Sequence, residues 1–325
     1  MRCVRCCGLR LFELFTSVSW ERNLNVRKDI EFKSAGTKLR GWHYVPKGRG
    51  RFPTIVMAHG FSGVKELFLD DFAACFCAAG FAVLVFDHRN FGASEGRPRQ
   101  EINPWQQIDD YREAISFART LRQTDKERIG IWGSSYSGGH VLVVGALDRR
   151  VKCVVSQVPL ISGKATFERL VQGPLMGDLV AALTADREAR FVGQAPAKIP
   201  VVAPDFTTPC ALPCKEGFEF FEKHKARFPS WKNEVTLRSA DWGLGYEPGT
   251  YVHRISPTPL LMIIASHDTL APTDVALECY ERALEPKKLV IVPGAHFDPY
   301  VEKFAIASVA ARDWFVAHLQ PEVLS

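Results

Sequence analysis

Ser135 sits where a short apolar run breaks into small residues: Ile129-Gly130-Ile131-Trp132-Gly133-Ser134-Ser135-Tyr136-Ser137-Gly138-Gly139. Read as strand, sharp turn and helix, this is the layout of a nucleophile elbow, which lifts one hydroxyl clear of a sheet edge. Small neighbours are needed because the apex backbone is forced into a conformation that crowds the flanking Cβ atoms. Gly133 meets that need two residues before the serine, while Ser137 stands where the usual G-x-S-x-G pattern has its second glycine. Glycine-serine turns of this kind are common by chance, so the context has to decide.

Two later strand ends supply the context. Leu260-Leu261-Met262-Ile263-Ile264-Ala265-Ser266 and Lys288-Leu289-Val290-Ile291-Val292-Pro293 are apolar runs, the pattern of buried parallel strands. The first ends in His267-Asp268 and the second in Gly294-Ala295-His296, where open α/β sheets place their sites. The order Ser135, Asp268, His296 is the order nucleophile, acid, histidine of a hydrolase elbow. Such a trio attacks carbonyls: the imidazole takes the serine proton and the carboxylate fixes the tautomer. Asp298 is a rival acid, but it lies on the wrong side of His296 for the usual strand-end position.

The charge that develops on the attacked oxygen needs donors. Pro53-Thr54-Ile55-Val56-Met57-Ala58 reads as a strand that runs into His59-Gly60-Phe61-Ser62-Gly63. The Phe61 and Tyr136 amides are therefore expected to form the oxyanion hole, worth about 3 kcal/mol per donor in comparable sites. His59 has a competing reading as general base, and its place before this turn favours an orienting role. Asp87 and His88 also end a strand and are expected to be structural.

The elements that must hold these residues follow from the remaining pattern. Asp29 to Lys33 and Lys38 to Val45 bracket a glycine turn and predict an antiparallel hairpin. Next come a strand at 54–58, a helix near 65–79, a strand at 81–86, a helix at 104–121 opened by Pro104, the elbow, and a strand at 151–158. Strands alternating with helices imply a parallel sheet with right-handed crossovers. The fold class is thus α/β, mostly parallel, with an antiparallel N-terminal hairpin.

From about Leu160 to Arg254 the alternation stops. Phe167, Leu170, Met176, Leu179, Leu183, Phe191, Phe218, Phe220, Phe221, Phe228, Trp231 and Trp242 are interrupted there by prolines and glycines. Because this stretch separates core strands, it reads as a mainly helical cap at 160–254 between core parts at 25–159 and 255–325. Its apolar residues are expected to face the serine and suit an apolar acyl group, although many must hold the cap together.

Composition narrows the class. The 325 residues carry a net charge of +5, with 46% hydrophobic and 24% charged residues, ordinary for a globular protein and without a nucleic-acid footprint. Arg97, Arg99, Arg149, Arg150 and Lys152 could form a basic rim for an acidic carrier or coenzyme thioester, or be ordinary solvated charge. The nine cysteines are scattered and odd in number, which favours a reducing interior such as the cytoplasm, with an organelle such as the peroxisome left open. Cys210 and Cys214 could pair or stay reduced. Cys3, Cys6 and Cys7 resemble half a zinc site with no matching partner, so no metal and no cofactor are expected. Residues 1–24 are an uncertain extension without the uncharged core of a secretory signal. No apolar stretch is long enough for a membrane span.

With elbow, oxyanion turn, acid and histidine placed, the chain resembles the α/β-hydrolases from about residue 24 onward. Asp87-His88-Arg89-Asn90-Phe91-Gly92-Ala93-Ser94-Glu95-Gly96, taken with Gly133 to Gly139, is similar to a fungal group encoded in polyketide and toxin clusters. That group includes the fumagillin polyketide transferase. The resemblance implies an acyl substrate, delivered as a thioester by coenzyme A or a polyketide synthase carrier domain, and released to water or an alcohol. Peptidase relatives share such motifs, and a non-catalytic binding module on the same fold is the different-class alternative.

Overall fold

The computed structural model describes residues 27–171, 173–205 and 208–320. The N-terminal extension, with Cys3, Cys6 and Cys7, lies outside them. Lys28–Ser34 (β1) and Thr37–Tyr44 (β2) form the expected antiparallel hairpin. Its central residues Ala35 and Gly36 both take positive φ, 45° and 82°, as primed hairpin turns demand.

The α/β alternation follows: Phe52–Ala58 (β3), Leu69–Ala78 (α1), Ala82–Phe86 (β4), Pro104–Ala118 (α2), Thr124–Ser134 (β5), Tyr136–Leu147 (α3) and Val151–Gln157 (β6). The helix α2 starts where the sequence says it should. Asn103 accepts hydrogen bonds from the amides of Trp105 and Gln106, and Pro104 occupies the first turn. The helix α1 starts later than expected, at Leu69 instead of Lys65. Phe68 has φ 59°, which a helix cannot propagate through, and Lys65 is diverted to a buried ion pair with Asp87 at 2.8 Å.

Between β6 and the next core strand lie Gly163–Leu170 (α4), Gly173–Phe191 (α5), Lys198–Ile199 (β7), Lys215–His224 (α6), Val235–Thr236 (β8) and Leu237–Leu244 (α7). β7 and β8 pair only with each other. The core resumes with Leu260–Ala265 (β9), Thr273–Arg282 (α8), Lys287–Val292 (β10) and Phe304–Leu319 (α9).

The main sheet has the order β1-β2-β4-β3-β5-β6-β9-β10, with β1, β2 and β4 joined antiparallel and the remaining pairs parallel. Apolar layers cover both faces: α2 and α3 pack on one, α1 and α9 on the other. The central strands are buried on both sides, so Ile55, Val56, Met57, Ile131 and Trp132 are inaccessible. Each such side chain contributes about 1.5–3 kcal/mol over its exposed state. One strand departs from expectation. After Lys287 and Lys288 β10 is apolar, yet it lies at the sheet edge and Ile291 is 52% exposed; hydrophobicity alone does not distinguish an edge from a centre. No described helix is long and apolar enough to cross a membrane.

Candidate active site

The elbow is built as strand β5, one residue at the apex, and helix α3. Ser135 takes φ 59° and ψ −119°, a conformation costing about 1–3 kcal/mol for a residue with a Cβ. Backbone bonds hold it there: its amide donates to the Gln157 carbonyl at 2.9 Å, and its carbonyl accepts from Gly139 and Leu160 at 3.2 and 3.0 Å. Gly133 is obligatory, because a Cβ there would lie 2.1 Å from the Ser137 carbonyl oxygen.

The three residues expected to act together do converge. His296 Nε2 lies 3.0 Å from Ser135 Oγ, and His296 Nδ1 lies 2.7 Å from Asp268 Oδ2. The other Asp268 oxygen accepts from the amides of Leu270 and Ala271 at 2.9 and 2.7 Å, so the carboxylate cannot swing away cheaply. Asp298 is engaged elsewhere. Its Oδ2 accepts from the Ala295 amide at 2.6 Å and closes the histidine's own loop. Burial on its own would lower the His296 pKa, but Asp268, at contact distance, together with the Glu216 carboxylate more than offsets it and holds the imidazole above the ordinary histidine value.

Gly60 passes directly over the nucleophile: a Cβ on it would stand 2.8 Å from Ser135 Cβ. The Phe61 and Tyr136 amides flank the serine and have no acceptor among the described residues. Serine, imidazole, carboxylate and two idle amides form an arrangement able to move a proton and to stabilise an oxyanion.

Three further polar groups position these elements. The Tyr111 hydroxyl donates to the Trp132 carbonyl at 2.6 Å and accepts from the Ala58 amide at 2.9 Å, joining the ends of β5 and β3. The Ser137 hydroxyl donates to the His59 carbonyl at 2.5 Å. Tyr300 accepts from Ser134 at 2.5 Å beneath the elbow. Neither Tyr111 nor Tyr300 announces its role in the sequence, since each reads as part of an amphipathic or turn segment. Ser137 did carry a signal, its departure from the glycine pattern.

His59 and His88 are buried, and burial is the main cause lowering the pKa of each, so both stay neutral. His140 is likewise held down, to about 3. His59 donates from Nδ1 to the Gly60 carbonyl and receives the His88 amide on Nε2. Both of its ring nitrogens are thus engaged with backbone groups. Asp87 accepts from Lys65 and from the Ala93 amide, a structural role.

A narrow cavity of about 80 Å³ opens over Ser135 and His296. Leu67, Leu160, Phe167, Leu170, Leu212 and Phe221 are among its walls, and no carboxylate lines it. Of the aromatic and aliphatic residues expected to face the serine from 160–254, only Phe167, Leu170 and Phe221 reach this cavity. Phe220 stacks on Phe297 at 4.2 Å and Phe221 on Trp231 at 4.4 Å, while Leu183 packs beneath α7 and Phe191 is 92% exposed. Within the segment Phe221, Phe228 and Trp231 pack on one another. From α6, Glu216 accepts the Phe297 amide at 3.1 Å, and burial raises its carboxyl pKa.

The basic rim does not assemble. Arg149, Arg150 and Lys152 lie at the start of β6, the opposite end of that strand from Ser135. There Arg150 pairs with Asp148, and Arg149 donates to the Arg254 and Ile255 carbonyls. Arg99 instead braces the loop after β4 through the Gly92 carbonyl. Cys210 and Cys214 are both free, and no cluster of metal-ligating side chains occurs among the described residues.

Comparison with known proteins gives the family. Residues 35–298 match the family model described as X-Pro dipeptidyl-peptidase (S15 family). The thiohydrolase aneE of Aspergillus aculeatus is 35% identical over 80% of this chain and 83% of its own. The polyketide transferase af380 of Aspergillus fumigatus is 30% identical over 81% and 87%. The crystal structure of the α/β-hydrolase GrgF from Penicillium superposes with a TM-score of 0.79 at 27% identity, covering 90% of this chain and 99% of that one. The chain thus belongs to the X-Pro dipeptidyl-peptidase (S15) family, as an α/β-hydrolase resembling the fungal polyketide transferases.

Proposed function

We propose that this chain catalyses serine-dependent transfer of an apolar acyl group, of the polyketide type, from an ester or thioester to water or an alcohol. The hydrogen-bonded series Asp268–His296–Ser135, at 2.7 and 3.0 Å on the floor of a largely apolar cavity, carries the reading. The names of the relatives, a thiohydrolase and a polyketide transferase, support thioester cleavage and a polyketide acyl group.

In the first half-reaction His296 Nε2 takes the Ser135 proton as Oγ bonds to the substrate carbonyl carbon. The carbonyl oxygen, now negative, rests on the Phe61 and Tyr136 amides, and Asp268 stabilises the imidazolium. Collapse expels the thiolate or alkoxide, which leaves with the proton from His296. In the second half-reaction water or an alcohol gives its proton to His296 and attacks the acyl-enzyme, and Ser135 recovers its hydrogen. The segment 160–254 acts as the cap that roofs this chemistry and keeps bulk water from the acyl-enzyme.

The family description makes a dipeptidyl-peptidase the second reading. A dipeptidyl-peptidase has to hold the free α-ammonium of its substrate, which calls for a carboxylate within reach. The cavity walls contain none, so acyl transfer is the better fit. Intact-mass measurement after incubation with acyl thioesters should show an acyl adduct on Ser135. Ser135→Ala should abolish both that adduct and labelling by a fluorophosphonate; labelling that survives the substitution refutes the assignment.

A further inference from the structure

At Ser137 the elbow departs from its usual second glycine, and the structure gives the hydroxyl a task. Ser137 is inaccessible to solvent and donates to the His59 carbonyl oxygen at 2.5 Å. A carbonyl can only accept, so the serine proton is committed there. His88 Nε2, 3.1 Å from the same hydroxyl, must then be the donor in that contact. His88 Nδ1 is left bare, and it has no partner among the described residues. The cycle closes through His59, whose Nε2 accepts the His88 amide at 3.1 Å and whose Nδ1 donates to Gly60 at 3.0 Å.

Three sheet strands are tied together by this cycle. His59 follows β3, His88 follows β4, and Ser137 lies in the first turn of α3, just beyond β5. The β3 exit carries the Phe61 amide, whereas α3 carries the Tyr136 amide. A hydroxyl bridging the two elements therefore sets the spacing between the two donors.

We propose that Ser137 is a positioning residue for acyl transfer, fixing the His59–Gly60–Phe61 turn against the elbow helix so that both amides meet the oxyanion. This rests on the acyl-transfer reading above. A glycine in the slot would leave the His59 carbonyl and the His88 ring without their shared partner. Loss of a whole oxyanion donor costs about 10²–10³ in rate, so a donor merely loosened should cost less.

The test compares Ser137→Ala and Ser137→Gly, which remove the hydroxyl, with Ser137→Thr, which keeps it. Either deletion suffices if the other packs badly. Turnover of an aryl ester should fall about tenfold to a hundredfold in kcat, with KM within threefold of native. Inhibition by a trifluoromethyl ketone, whose adduct places an oxyanion on the amides, should weaken by a similar factor. Inhibition by the matching methyl ketone should not move. Ser137→Thr should recover most of the loss.

Native kcat in both deletions would overturn the proposal. Equal weakening toward both ketones would also overturn it, because that is the mark of general damage to the fold. Failure of the native protein to accept a fluorophosphonate on Ser135 would remove the acyl-transfer reading and this inference with it. Native labelling with undiminished deletions would remove only the inference.

Discussion

Replacing Asp268 with Asn should be far more damaging than the loss of one charge suggests. Asp268 Oδ1 accepts two amides, from Leu270 and Ala271. An Asn side chain must keep its carbonyl oxygen on that side, since its NH2 group would oppose two N–H donors. The NH2 group is thereby aimed at His296 Nδ1, 2.7 Å away in the native pair. A donor in that position makes Nδ1 the acceptor and moves the ring proton to Nε2, the atom facing Ser135. The imidazole then has no lone pair with which to take the serine proton.

The same tautomer error in serine proteases costs about 10⁴ in kcat, or about 5.5 kcal/mol of barrier. Here kcat should fall by about that factor while KM stays within severalfold, measured on a short-chain aryl ester. The acid limb of the pH profile should also move to lower pH, because burial then acts on His296 against Glu216 alone, without the nearer Asp268 charge. Asp298→Asn is the control. It keeps an oxygen for the Ala295 amide and should cost less than tenfold. A Asp268→Asn enzyme within tenfold of native, or a larger loss from Asp298→Asn, refutes the assignment of the acid.

Three other outcomes follow from the geometry. The folded-state pKa of His296 is raised, so the proton it gains on folding stabilises the protein below the ordinary histidine pKa, near 6.5. That contribution is lost as pH climbs through the higher folded value; chemical denaturation from pH 6 to 9 should show the decline in native protein and a weaker one in Asp268→Asn. The Tyr136 hydroxyl is buried without a partner among the described residues, so Tyr136→Phe should leave stability unchanged or raise it by up to about 1–2 kcal/mol in urea melts, and a loss above that size would show a hidden partner. Gly133→Ala drives a Cβ to 2.1 Å from the Ser137 carbonyl oxygen. It should destabilise by about 3 kcal/mol or more and abolish Ser135 labelling, and a normally labelled, normally melting variant would contradict the elbow geometry.

The residues that the structure brings together as the sequence suggests are those with local signatures. Gly133, Ser135, Asp268 and His296 each sit where an apolar strand stops, and strand ends are visible in hydrophobic pattern. What pattern hides is contact between distant residues. Ser137 meets His59 across 78 positions and Tyr111 meets Trp132 across 21, and nothing in either neighbourhood announces the partner. The start of α1 was misplaced because one left-handed residue, Phe68, outweighs a helical pattern. The edge position of β10 was invisible because neighbours in a sheet are set by topology. In 160–254 the aromatic content was plain, but not its destination: rings prefer one another, as Phe221 on Trp231 shows.

The grip of α6 on the histidine loop bears on how such enzymes can be recombined. Phe220 lies flat on Phe297 and Glu216 holds the Phe297 amide, one residue past His296. The segment 160–254 and the His296 loop are therefore not interchangeable parts. A chimera that grafts a relative's 160–254 onto this scaffold imports a new mould for the residue beside His296, and under the proposed acyl transfer its selectivity and its proton transfer should change together unless position 297 and its two clasps travel as a set.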